Sequence, residues 1–188
     1  MRTIKTGILP FLFLSITTGV IYPGVVTIIS RLAFPHQAGG SLIHRADGTA
    51  VGSSLVGQPF SDPKYFWPRP SATSGFPYNP QASGGANLGP TNKDFLKQVA
   101  DRVKSWQDTG ISGPIPPDLV LASGSGLDPH LSLEGAALQI PRVARARGFD
   151  EMRVHRLVQE QAEGRQLGFL GAPRVNVVKL NLSLDNLR

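Results

Sequence analysis

From Thr6 to Ser30 the chain carries no charged side chain, and apolar residues dominate throughout. About 20 such residues cover the hydrocarbon core of a bilayer, so the stretch predicts a membrane-spanning helix with room to tilt. Pro10 falls near its start, where a helix tolerates it. Pro23 falls later and removes a backbone donor, so the helix is expected to kink or open there and leave a carbonyl for a neighbour to satisfy. Apolar sequence resumes after Thr17-Thr18-Gly19 and runs through Val20, Ile21, Val25, Val26, Ile28 and Ile29. The apolar run of a cleaved signal peptide is shorter and then stops, so this reads as an uncleaved anchor.

Beyond the span the pattern changes. Phe34 to Gly40 reads as a linker. Leu42–Arg45, Ala46-Asp47-Gly48 and Thr49–Val56 follow as strand, turn and strand, with Asp-Gly as the hairpin signal. Gln58 to Pro90 is rich in Pro, Gly, Ser and Asn, yet holds Phe60, Tyr65, Phe66, Trp67, Phe76 and Tyr78. Disordered linkers hold few aromatics, so a long ordered loop is expected. Thr91, with Asp94 three residues on, opens an amphipathic helix through Phe95, Val99, Val103 and Trp106, ending near Gly110, with Trp106 in the core. Asp118 to Ala122 resembles a short strand leading into the loop Ser123–Gly126. Ser132 caps a helix through Glu134 to Ile140, Pro141 restarts it, and Gly148 closes it; Asp150 to Gln161 makes another. The final alternation of Val178, Leu180, Leu182 and Leu184 with Lys179, Asn181 and Ser183 predicts a half-buried strand. The class is α+β: an N-terminal tail and transmembrane helix over 1–34, then one soluble domain over 35–188 with a hairpin, a long loop and several short helices.

Composition sharpens this picture in three places. Gly (21) and Pro (16) supply many turns, which fits irregular connections better than a helical bundle. The absence of cysteine excludes disulfides, thiolate metal sites and cysteine nucleophiles. The net charge of +6 draws heavily on Arg142, Arg145, Arg147, Arg153 and Arg156. These read as a solvated helix face or a surface for an acidic partner or lipid head groups; no nucleic-acid module accompanies them. Arg2 and Lys5 precede the span, which favours a cytoplasmic N-terminus and an extracytoplasmic domain. Ser15 and Gly19, with Pro23, give that helix a face suited to close packing on another helix.

Catalytic patterns fail on context. Ser61-Asp62-Pro63-Lys64 has the Ser-x-x-Lys spacing, but Pro63 opposes the helical turn that such a pair needs, and Lys5-Thr6-Gly7 lies at the edge of the span. Ser125 sits between glycines without the full nucleophile-elbow pattern. His36, His44, His130 and His155 lack ligand spacing, so neither catalytic residues nor metal ligands are assigned. The strand, Gly/Ser loop and helix from Ser123 to Ile140 leave two readings, a packed turn or an anion held at a helix N-terminus. Taken without any resemblance, the alternative function is a membrane-anchored extracytoplasmic hydrolase using Ser61 or Ser125.

Several long segments in order resemble the C subunit of the Kdp potassium-transporting P-type ATPase. They are Gly52-Ser53-x-Leu55-Val56-Gly57-Gln58, Tyr65-Phe66-Trp67-x-Arg69-Pro70-Ser71-Ala72 and Ser83-Gly84-Gly85-x-Asn87-Leu88-Gly89-Pro90. Asp118 through His130, Gln139-Ile140-Pro141-Arg142-Val143-Ala144, and Pro173-Arg174-Val175-Asn176-Val177 with Leu180-Asn181-Leu182 continue the series. The resemblance implies a non-catalytic subunit of a bacterial inner-membrane complex for ATP-driven high-affinity potassium uptake. Its partners would be a channel-like subunit and a P-type ATPase subunit. The resemblance further implies a role in raising ATP affinity, with nucleotide contact near Gln139. Tyr65, Phe66, Trp67 and Arg69 on the loop, and Ser15, Gly19 and Pro23 in the span, are the expected partner contacts.

Overall fold

The computed structural model describes residues 2–45 and 47–187, with side chains from residue 6 onward. The side chains of Arg2 and Lys5, on which the expected orientation rests, lie outside the described residues. It divides into two compact units, Met1–Val51 and Gly52–Arg188.

In the first unit, α1 (Arg2–Ile16), a π-helical turn (Thr17–Ile21) and α2 (Tyr22–Ala33) run on as one helix. Thr6–Ala33, 28 residues, is long and apolar enough to cross a membrane. The π turn sits where Pro23 was expected to open the helix. Tyr22 N–H donates to the carbonyl of Thr17, and Pro23 has no N–H, so the Thr18 carbonyl misses both donors in register with it. The Thr18 hydroxyl donates back to Leu14 O at 2.7 Å. The expected linker instead contains a turn of helix, α3 (Pro35–Ala38). The reason is local: proline's fixed φ suits a first helical position, and Gly40 at φ 87° then ends the turn. Strands β1 (Leu42–His44) and β2 (Ala50–Ser53) pair as a hairpin. Gly48 takes φ 83°, and Asp47 Oδ1 accepts from Thr49 N at 2.9 Å. Ala46, part of the expected turn, lies outside the described residues.

The second unit packs helices on a small sheet. Its elements are α4 (Lys93–Asp108), α5 (Pro117–Val120), β3 (His130–Ser132), α6 (Leu133–Ala137), α7 (Ile140–Arg147), α8 (Glu151–Glu160), β4 (Ala162–Glu163), β5 (Arg174–Asn176) and α9 (Val177–Asp185). The sheet runs β3-β5-β4, antiparallel throughout, with Leu131 and Ala162 both opposite Val175. Phe66, Leu119, Leu131, Val143, Val154, Val175, Leu180 and Leu184 fill the core. Trp106 is buried there as expected, its indole N–H donating to Leu119 O at 3.0 Å. Ser132 and Asp150 cap α6 and α8, and Gly148 ends α7 at φ 67°.

Three local expectations are corrected. The terminal strand is a helix, α9, because the buried positions are Val177, Val178, Leu180, Asn181 and Leu184, a helical stripe. Asn176 starts it by accepting from Val178 N and Lys179 N, each at 3.1 Å. Asp118 to Ala122 is not a strand; Pro117 opens a single helical turn, α5, with Leu119 and Val120 turned inward. The cap of α4 is Asn92, not Thr91, and Asn92 Oδ1 accepts from Phe95 N at 3.0 Å.

Candidate functional site

The long loop is ordered because two buried carboxamides hold consecutive residues of it. Asn181 Oδ1 accepts from Phe66 N and Asn181 Nδ2 donates to Phe66 O, both at 2.9 Å. Gln139 does the same for Trp67, with Oε1 accepting from its N–H at 2.8 Å and Nε2 donating to its carbonyl at 3.0 Å. Each amide therefore acts as a strand neighbour for one residue of a chain that has no strand beside it. Both amide side chains are buried, and Phe66 is wholly enclosed in the core.

Arginines of α7 fasten the outer side of the same segment. Arg142 lies over the Trp67 ring, 3.8 Å from its centroid. It donates to Pro63 O at 2.6 Å, Tyr65 O at 3.0 Å and Gln139 Oε1 at 2.6 Å. Burial pulls its guanidinium down to about 10 from the ordinary arginine range. Arg147 donates to Lys64 O at 2.8 Å and pairs with Asp185 at 2.6 Å, while Tyr65 OH donates to the other Asp185 oxygen at 3.0 Å. Two members of the arginine cluster thus hold the chain's own loop rather than a solvated face. Arg145 and Arg156 stay exposed.

The far side of the loop rests on the Gly/Ser segment. Ser71 Oγ donates to Gly126 O at 2.7 Å, Gly84 N to Ser125 O at 2.9 Å, and Gly57 N to Leu127 O at 2.8 Å. A Cβ on Gly57 would collide with the Tyr78 ring, so glycine is required for that close approach. The packed-turn reading of Ser123–Gly126 therefore holds. Ser125 Oγ accepts from Leu127 N at 3.2 Å and lies 3.5 Å from Ser123 Oγ. At the start of α6, Ser132 Oγ takes the Gly135 N–H at 2.9 Å. Ser132 in turn donates to Asp118, through N at 2.7 Å and Oγ at 3.2 Å.

A chain of charges links elements distant in sequence. Arg69 pairs with Asp128 at 2.7 Å, and Asp128 Oδ1 meets His130 Nδ1 at 3.0 Å. His130 Nε2 lies 3.7 Å from Glu163, which also pairs with Arg174 at 3.2 Å and Lys179 at 3.6 Å. Burial works to raise the Asp128 carboxyl; hydrogen bonds from His130 and Arg69 outweigh it and hold the group down at about 2. Burial likewise works to raise Glu163, and Arg174, His130 and Lys179 bring it below its ordinary value. Arg69, Asp128, His130 and Arg174 of this network line a cleft of about 750 Å³ together with Pro114 to Pro117.

The structure thus draws Tyr65, Phe66, Trp67, Arg69 and Gln139 into one region. Ser15, Gly19 and Pro23 belong to the separate first unit. Gln139, the expected nucleotide contact, has both amide ends engaged within the chain. Sequence reading missed Asn181 and Glu163 as organising residues. A polar residue inside the apolar run Leu180-Asn181-Leu182 was the one available signal, since a buried amide must find partners. Among the described residues no group of three or more His, Cys, Asp or Glu could hold a metal ion.

Residues 4–186 match the family KdpC, described as K+-transporting ATPase, c chain. The chain is 59% identical over 187 residues to the potassium-transporting ATPase KdpC subunit of Geotalea uraniireducens (strain Rf4), covering 100% of this chain and 99% of the relative. The subunit of the same name from Geobacter metallireducens (strain ATCC 53774 / DSM 7210 / GS-15) is also 59% identical, with the same coverage. That from Methylococcus capsulatus (strain ATCC 33009 / NCIMB 11132 / Bath) is 54% identical over 186 residues, 98% of this chain and 97% of the relative.

Proposed function

The chain belongs to the KdpC family of K+-transporting ATPase subunits, and from that premise we propose that it is the accessory subunit that assembles and stabilises an ATP-driven potassium-uptake complex. Its partners in this reading are a channel-like subunit that selects potassium and a P-type subunit that hydrolyses ATP. The observation that carries the reading is the use to which the reactive side chains are put. Gln139, Arg142, Asp128 and His130 are engaged in holding the chain's own shape, whereas a catalytic centre needs groups free to meet a substrate.

An effect on ATP affinity belongs, in the same reading, to contacts with the pump subunit rather than to a nucleotide on Gln139. The span docks in the bacterial inner membrane through the face bearing Ser15, Gly19 and Pro23. Tyr65, Trp67 and Arg69 join the partner surface only where the loop leaves them uncovered, and Phe66 supports them from within. Basic Arg2 and Lys5 ahead of the span favour a cytoplasmic N-terminus, with the soluble domain outside.

The test is purification of the complex from membranes with and without this chain. Potassium-stimulated ATP hydrolysis and co-elution of the two larger subunits are expected to be lost without it. Full activity and assembly in its absence would overturn the proposal.

A further inference from the structure

Between α4 and the long loop lies a recess of about 380 Å³, within the range of cavities that hold small molecules. Phe60, Trp67, Tyr78 and Trp106 supply much of its wall, and Pro68 and Pro70 continue it. The three rings that carry a polar atom turn it back into the chain. Trp67 donates to Asp62 O and Trp106 to Leu119 O, each at 3.0 Å, and Tyr78 OH donates to Arg69 O. The rings therefore offer the recess carbon surface.

Its charge is one-sided. Arg69 and Arg102 line the recess, and no carboxylate does. Arg69 is answered by Asp128 at 2.7 Å. Arg102 is not answered: among the described residues its side chain makes one hydrogen bond, to Val120 O at 2.9 Å, and no ion pair. On the same helix Lys97 pairs with Asp101 and Lys104 with Asp108. Arg102 is half-buried, and burial pulls its guanidinium below the ordinary arginine range. Holding one carbonyl needs a donor, not a desolvated permanent charge. A half-buried cation beside an apolar wall, with most of its N–H groups unused, is the complement of an anion. The unanswered charge is single, which fits a monoanion.

We propose that this recess binds a small organic monoanion with an apolar ring, an aromatic monocarboxylate. The ring lies against the aromatic wall, and the carboxylate accepts from Arg102. The site is separate from the subunit role proposed above, so its failure would leave that role standing.

The chain has two tryptophans, Trp67 and Trp106, and both line the recess, so tryptophan emission reports on this site. The probe is phenylacetate, added to the detergent-solubilised full chain, with phenylacetamide as its uncharged isostere. Phenylacetate should change the emission saturably, with a dissociation constant of about 1 mM or tighter. Phenylacetamide should bind about tenfold more weakly, because it lacks the charge-assisted bond. Arg102→Gln keeps a donor for Val120 O; it should weaken phenylacetate by about tenfold and leave phenylacetamide unchanged. Equal losses for both probes would make Arg102 structural and refute the carboxylate contact. Ser105→Phe fills the recess from an exposed helical position and should abolish binding of both probes, with the melting temperature unchanged. No saturation in that range, or equal binding of acid and amide by the unaltered chain, would overturn the proposal however the variants fold. In the purified ATPase complex, equilibrium dialysis with radiolabelled phenylacetate should show binding that Ser105→Phe removes. If the two complexes bind alike, a partner surface covers the recess and the ligand site is refuted.

Discussion

At the scale of single residues, the same side-chain chemistry that suggests function is used for construction. Gln139 satisfies both backbone groups of Trp67 and also accepts from Arg142. Replacing it with Leu leaves two backbone groups and one guanidinium arm unpaired, each costing about 1–3 kcal/mol when buried. Gln139→Leu should therefore destabilise the chain by about 3 kcal/mol or more in a denaturant titration. Asp128 offers a second check through pH. Its folded value of about 2 lies below its ordinary 3.8, so its stabilisation is fully present above that ordinary value. It is lost as pH falls through the folded one. This linkage is worth on the order of 2 kcal/mol. Asp128→Asn should remove that part of the acid-limb slope, read as denaturation midpoint against pH.

Elements show where a short pattern misleads. The residues after Asn176 alternate apolar and polar, yet fold as α9, with Leu180 and Leu184 fully buried and Leu182 only partly so. A half-buried strand would make the two middle leucines equivalent. A helix separates them: Leu180→Ala should cost about 3 kcal/mol and Leu182→Ala under about 1.5, since the cost follows the cavity left behind. Comparable losses at both positions in thermal unfolding would contradict the helical packing. Asn176→Ala should add a loss of about 1–2 kcal/mol, because the cap of α9 goes together with the amide bond to Ser54 O.

For the whole molecule, the proposed topology has a direct readout. Ser83 is exposed, and the chain has no cysteine of its own. Ser83→Cys should therefore react with a membrane-impermeant thiol reagent in intact spheroplasts; labelling only after lysis would reverse the orientation. Some features are local in origin and were legible along the chain. The apolar span needs only length and composition, the π turn at Pro23 needs only a missing N–H, and the caps at Ser132, Asp150 and Gly148 need only their own turn. The α+β class and the kinship of the long motifs were legible for the same reason. Other features join residues far apart, and no local rule reaches them. Asn181 meets Phe66 across 115 positions and Gln139 meets Trp67 across 72, while Arg69, the pair Asp128 and His130, and Glu163 assemble from three separate segments. Sequence periodicity registers which face of an element is apolar. Which polar groups are buried, and what must then satisfy them, is decided only when the elements pack and exclude water.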